Sequence, residues 1–196
     1  MPPFEQIRTL LTAAAQAGPW TRAFVLLAAQ VLGAVGLALA LGISDVWLPI
    51  AVLGLGCLAS LLLRRCDDRR WFWIPPAVYA LFIFLLSNRS FSDTTLPVPA
   101  DLFHPVEYLT LAVLLSPVWE NLLEEKRTGG FLARVIATGL FFGATDELHQ
   151  AFIPGRTPSA GDLVLDFTGL ALGCWIVVAA RMRRSSVSPT PSGPPR

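Results

Sequence analysis

Apolar residues in this chain come in blocks long enough to cross a membrane, and no other sequence feature constrains the fold as strongly. The block Ala23–Leu41 holds a single strongly polar residue, Gln30. Crossing the hydrocarbon core of a bilayer takes about 20 residues of helix, and a helix that is apolar on all sides belongs in lipid or deep in a core. Charged residues make up 15% of the chain, against roughly a quarter in a soluble domain. Hydrophobic residues reach 54%, with a mean hydropathy of +0.57. The expected fold class is all-α, a polytopic transmembrane helical bundle of about six spans.

The runs are Ala23–Leu41, Val46–Leu63, Trp71–Leu86, Val106–Trp119, Phe131 onward, and Leu163–Ala180. The fourth is short for a span unless it starts near Phe103, which draws His104 and Glu107 to the membrane boundary. The fifth is apolar through Phe142 and then passes into Asp146-Glu147-Leu148-His149-Gln150 before Pro154-Gly155 ends it. Residues 4–17 read as a short amphipathic helix on the membrane surface. The segment after Arg184, rich in Ser and Pro, reads as disordered. A lone Gln30 inside a span is expected to hydrogen-bond a neighbouring helix. Cys57, Cys66 and Cys174 have no CxxC spacing, so neither a disulfide framework nor a cysteine metal site is expected.

Six spans put both termini on one side. Of the fifteen basic residues, all but Arg89 and Arg156 then fall on that side. Under the positive-inside rule the termini are cytoplasmic, and the loops at 42–45, 87–104 and 144–161 are extracytoplasmic. This assignment gathers the unusual polar residues on the outer face. Asp101, His104, Glu107 and Tyr108 start span four; Asp146, Glu147, His149 and Gln150 end span five; Arg156, Asp162 and Asp166 follow in the outer loop and at the start of span six. Asp146, His149 and Gln150 share a helix face at i, i+3 and i+4. Asp162, Asp166, Gly169 and Gly173 form a second stripe, whose glycines let another backbone approach closely.

Each residue also has a structural reading. His104, before Pro105, fits a helix-cap position. Glu147 lies about 100° off the Asp146 face, a direction that fits solvent. Asp162 fits the first turn after a Ser159 cap, where a carboxylate favours the positive helix end. Tyr108 fits an interfacial aromatic belt. Asp166, one turn deeper, must be neutral, paired or wet, so a functional or network role is the default. Three chemistries fit the set. A carboxylate beside His104 suits acid–base catalysis, with Asp146 as partner. The acids and histidines could ligate a divalent cation, although HExxH-type spacing is absent. Arg156 could contact an anion such as a lipid phosphate, or pair with Asp146, Asp162 or Asp166. No P-loop, Rossmann fingerprint or serine-nucleophile motif occurs, so no cofactor is assigned.

Asp101-Leu102-Phe103-His104-Pro105-Val106-Glu107-Tyr108 resembles the DKxxHxxEY signature of VanZ-like membrane proteins. Asp146-Glu147-Leu148-His149-Gln150-Ala151-Phe152-Ile153-Pro154-Gly155-Arg156, followed by Asp162, Asp166, Gly169 and Gly173, resembles the family's second signature, DExxQxFxPGR with D, N, G and G beyond it. Ser87-Asn88 resembles its polar LSS turn. Two positions depart from the pattern: Leu102 stands where lysine is usual, and Asp166 where asparagine is usual. The resemblance covers about Trp71 to Arg181, a four-span unit, and makes the first two spans an addition.

The expected organisation is a cytoplasmic segment (1–20), two additional transmembrane helices (21–70), a VanZ-like four-helix domain (71–184) and a disordered cytoplasmic tail (185–196). The resemblance implies a bacterial cytoplasmic-membrane protein of the cell envelope, related to glycopeptide resistance. The expected partners are the bilayer and a lipid head group or lipid-linked amphiphile, with no nucleic acid. Catalytic roles would fall to His104, Asp146 and Asp166, and ligand contacts to Arg156, Asp101, Glu107, Tyr108, Glu147, His149, Gln150 and Asp162. A non-catalytic protein whose polar cluster fixes helix packing is the alternative. A transporter fits less well, because spans one to three carry no central carboxylate and no span is discontinuous.

Overall fold

Backbone groups in lipid must bond within their own segment, so apolar runs of this length become helices. The computed structural model describes residues 17–66, 68–88, 100–122 and 128–187. The expected surface helix (apart from residue 17), most of the 91–103 loop, Lys126 and Arg127, and residues 188–196 of the tail lie outside these. Among the described residues six α-helices follow in order: α1 Pro19–Leu41, α2 Trp47–Leu62, α3 Ile74–Ser87, α4 His104–Leu122, α5 Thr128–Gln150 and α6 Ala160–Val187. Short 3₁₀ turns at Leu63–Arg65, Arg69–Trp73 and Ala100–Phe103 extend α2, α3 and α4. With those turns all six are long and apolar enough to cross a membrane. The fourth span covers Asp101–Leu122, because the 3₁₀ turn adds length at its start and the helix continues past Trp119. Helix α6 runs to Val187, beyond the expected span end at Ala180.

Local chemistry sets the ends. Pro19 and the Pro75-Pro76 pair occupy first turns, where a missing N–H costs nothing. Gly42 adopts a left-handed φ of 67°, and the Ile43 N–H returns to the Ala38 carbonyl at 2.9 Å, closing α1. Asp68 accepts from the Arg70 N–H at 3.0 Å and pairs with its guanidinium, which holds the Asp68 carboxyl below the usual carboxylate range.

Helix α1 packs on α2 and α2 on α3, while α4 lies along α6 and α5 touches both. One core cluster draws a buried residue from every helix: Leu27, Leu53, Tyr79, Leu111, Val135 and Leu170. Direct contact between α1 and α4 is sparse. Gln30 of α1 donates to Thr110 of α4 at 3.1 Å, which is the interhelical bond expected of it. Leu32, Leu39, Leu62, Phe141 and Trp175 are all exposed. Water would leave that apolar surface uncompensated, whereas hydrocarbon suits it.

The two ends of the bundle differ. At one, Trp73 meets Trp119 edge to face at 5.7 Å, Arg181 lies over the Phe131 ring at 3.9 Å, and its guanidinium reaches Glu120 at 2.6 Å. At the other, Ser87, His104, Gln150 and Ala160 bring the ends of α3 and α5 beside the starts of α4 and α6.

Candidate functional site

Backbone proximity between α4 and α6 builds the first half of the site. A Cβ added at Gly169 would collide with the Pro105 carbonyl, and one at Gly173 would lie 2.6 Å from the Leu109 carbonyl. Only a residue without a side chain lets the helices approach so closely. That approach sets Asp166, fully buried, against the start of α4. His104 Nδ1 lies 2.9 Å from Asp166 Oδ1, and His104 Nε2 lies 3.9 Å from Asp162 Oδ2. The imidazole is therefore oriented by a carboxylate from another helix, and its Nε2 makes no hydrogen bond to a described residue. Asp166 Oδ2 is buried without a hydrogen-bond partner and sits against Gly143, where an added Cβ would lie 2.7 Å from it and 3.1 Å from the Tyr108 hydroxyl.

The second half is built from α3, α5 and the turn that follows α5. Ser87 donates to Asp146 Oδ1 at 2.6 Å. Gln150, one turn on, donates to Asp146 Oδ2 at 3.1 Å and to Glu147 Oε1 at 3.2 Å. The Gln150 carbonyl oxygen in turn accepts from Arg156 Nε and Nη2 at 3.1 and 2.7 Å. Gly155, at φ 81°, turns the chain so that Arg156 folds back over the helix end. Glu147 Oε2 accepts from the Ser159 N–H at 2.7 Å, and the Ser159 hydroxyl accepts from the Gly161 N–H at 3.1 Å at the start of α6.

Several expectations change here. Glu147 is buried and anchors the loop before α6; it does not point to solvent. Tyr108 is buried and packs near the Phe142 ring at 6.3 Å, so it is not an aromatic-belt residue. His104 lies at the first helical position, and its side chain goes to Asp166 instead of capping α4. His149 bonds the Asn88 amide oxygen at 2.7 Å and lies against the Phe84 ring. No described carboxylate lies within 4 Å of Arg156; its partner is an amide. Among the described residues, no group of three or more His, Cys, Asp or Glu side chains is arranged to hold a metal ion.

A cavity of about 450 Å³ lies beside these networks. Ser87, Asp101, His104, Glu107, Asp146 and Arg156 form its polar part. Asp166 stands one hydrogen bond behind His104, and Tyr108, Glu147, His149, Gln150 and Asp162 do not line the cavity. Sequence reasoning passed over Ser87 as a site residue, although its place at the end of the third run was a signal. It also missed that the first two helices reach the site. The other part of the wall is apolar and comes largely from α1, the α1–α2 link and α3.

The arrangement can do two things chemically. A carboxylate-oriented imidazole can take up or deliver a proton. A volume within the ordinary range of small-molecule sites, with one polar end and one apolar wall, can hold an amphiphile.

Fold and exposed surface define a multi-pass α-helical membrane protein with a polar-ended cavity between its helices. Residues 89–181 match the family model described as VanZ/LLP1, so this C-terminal part of the chain is similar to VanZ-like membrane proteins. No curated protein and no solved structure matches the chain.

Proposed function

We propose that this protein binds a lipid or other amphiphile from the outer leaflet of the bacterial cytoplasmic membrane, with the head group at His104, Glu107, Asp146 and Arg156. The observation that carries the reading is the cavity, in which a polar end formed by Ser87, Asp101, His104, Glu107, Asp146 and Arg156 meets a largely apolar wall. The charge distribution supports the outward orientation of that end, with both termini cytoplasmic. On this reading residues 71–184 form the family unit and the first two helices precede it. The His104–Asp166 pair is the group best placed to move a proton if the bound molecule is also modified. A role in glycopeptide resistance follows from family likeness and belongs to the same proposal.

A packing role is favoured for part of the cluster. Ser87–Asp146 and Glu147–Gln150 tie α3, α5 and the loop before α6 through buried bonds. The two readings separate by experiment. Lipids retained through purification in dodecyl maltoside are measured by mass spectrometry for the natural chain and for His104→Ala, Glu107→Gln and Asp146→Ala. Loss of a retained lipid with unchanged helix content and melting supports the site, whereas loss of folding with every variant supports packing alone. For resistance, expression of the natural chain is expected to raise the inhibitory concentration of teicoplanin, and Asp146→Ala to abolish the rise.

A further inference from the structure

The apolar side of the cavity does not belong to the VanZ-like region. Gln30, Gly33, Ala34, Leu37 and Ala38 line it from α1. Their spacing, i, i+3, i+4, i+7 and i+8, makes one continuous stripe on a helix. The stripe is about 12 Å long at 1.5 Å per residue. The hydrocarbon of a single leaflet is about 15 Å deep, half of a bilayer core. The trough therefore spans most of one leaflet, and at its far end Gln30 donates to Thr110. Gly33 opens onto free space: a Cβ added there would meet nothing within 4 Å. Ile43, Val46 and Ile50 close the trough on the α2 side, and Phe82, Ile83 and Leu86 on the α3 side.

The polar end has an unbalanced demand. Among the described lining residues, three carboxyl groups, Asp101, Glu107 and Asp146, face one guanidinium and one imidazole. Both of those cationic groups are engaged within the protein, Arg156 Nε and Nη2 by Gln150 and His104 Nδ1 by Asp166. Asp146 has donors from Ser87 and Gln150, while the Glu107 carboxyl has no hydrogen bond to a described residue. Among the described residues, no cationic donor lies within 4 Å of the Glu107 carboxyl. An unmet carboxyl at low dielectric favours a charged N–H partner over a neutral one.

We infer that the cavity is a lateral slot for a long-chain amphiphile with an ammonium-bearing head group. The α1 stripe and the α2–α3 wall hold the hydrocarbon chain, and Glu107 and its neighbours hold the nitrogen. This rests on the reading of the polar end as a head-group site and adds the chain slot and the sign of the head group. It also gives the two N-terminal helices a role in the site.

Native mass spectrometry of the full chain in dodecyl maltoside tests it with three probes: dodecylammonium, dodecyl sulfate and butylammonium. Dodecylammonium is expected to bind at least tenfold more tightly than either of the others. Gly33→Phe, which fills the trough, is expected to weaken dodecylammonium at least tenfold while leaving butylammonium unchanged. Gly36→Phe carries the same change outside the cavity wall and is expected to change neither. Glu107→Gln is expected to weaken both ammonium probes. Displacement of dodecylammonium by phosphatidylethanolamine would support an aminophospholipid as the source, and its absence a free long-chain amine. Equal binding by the Gly33→Phe and natural chains overturns the chain slot. Dodecyl sulfate binding as tightly as dodecylammonium overturns the ammonium assignment. Binding by none of the probes, together with no lipid retained through purification, overturns the head-group site itself.

Discussion

Asp146, Glu147 and Asp166, the carboxylates most deeply buried among the described residues, each have a donor from elsewhere in the chain. Asp146 depends on Ser87 at 2.6 Å and on Gln150. Ser87→Ala removes the shorter bond and is expected to lower stability by about 1–3 kcal/mol, the cost of an unsatisfied buried acceptor. A thermal melt in detergent reads this directly, and an unchanged midpoint would mean that Asp146 finds another donor. Asp166 depends on His104. His104→Ala strands a buried carboxylate and is expected to cost about 3–5 kcal/mol. Asp166→Asn keeps an acceptor for the imidazole and removes the charge, so its melting should stay near that of the natural chain. The double variant His104→Ala/Asp166→Asn is expected to recover most of the loss. Additive single-variant effects would show that the two side chains are not coupled. The sequence named both partners of this pair but could not pair them, because 62 residues and two loops separate His104 from Asp166.

Element against element, the closest approach is α4 on α6. Gly173 faces the Leu109 carbonyl and the Ala112 methyl group. Gly173→Leu is expected to force the helices apart at a cost of about 1–3 kcal/mol, as overpacking generally does. Gly36→Leu, on α1 in open space, is expected to leave stability unchanged or slightly raised, since glycine is a weak helix former. Hydrogen exchange resolved to single helices checks both. Faster exchange confined to α4 and α6 is the expected pattern for Gly173→Leu, and equal rates in the two variants would contradict it. The Gly169–Gly173 stripe was legible because spacing on a helix face is a local property. Gly139 and Gly143 have the same spacing on α5 and press on Leu170 and Asp166, yet neither falls within a motif that marks it.

Across the whole molecule, one end is polar and the other is aromatic and basic. On the proposed orientation, with both termini cytoplasmic, a single cysteine introduced as Ser44→Cys or Thr157→Cys in a chain lacking Cys57, Cys66 and Cys174 is expected to react with an impermeant maleimide from outside intact cells. The natural Cys66 kept alone is expected to react only after permeabilisation. The reverse pattern would invert the orientation and place the cavity end in the cytoplasm. The sparse contact between α1 and α4 belongs to this scale too. It leaves room for the cavity between the first helices and the family region, and no pairwise reading of motifs points to it.

Hydropathy and charge order along the chain by themselves determine six helical spans, a multi-pass membrane protein and the segregation of polar residues to one end. They do so because lipid penalises every unbonded backbone group and every stray charge, and those penalties add up residue by residue. The family signatures add which residues of that end belong together in sequence. Only the tertiary structure decided which of them meet. It directed Glu147 inward to Ser159, His149 to Asn88, Arg156 to an amide and Asp166 behind His104, and it brought α1 to the cavity wall. These outcomes depend on helix rotation and on the distance between helices. Both are set by the packing of small residues such as Gly169 and Gly173 against a neighbouring backbone, a relation that exists only once the chain has folded.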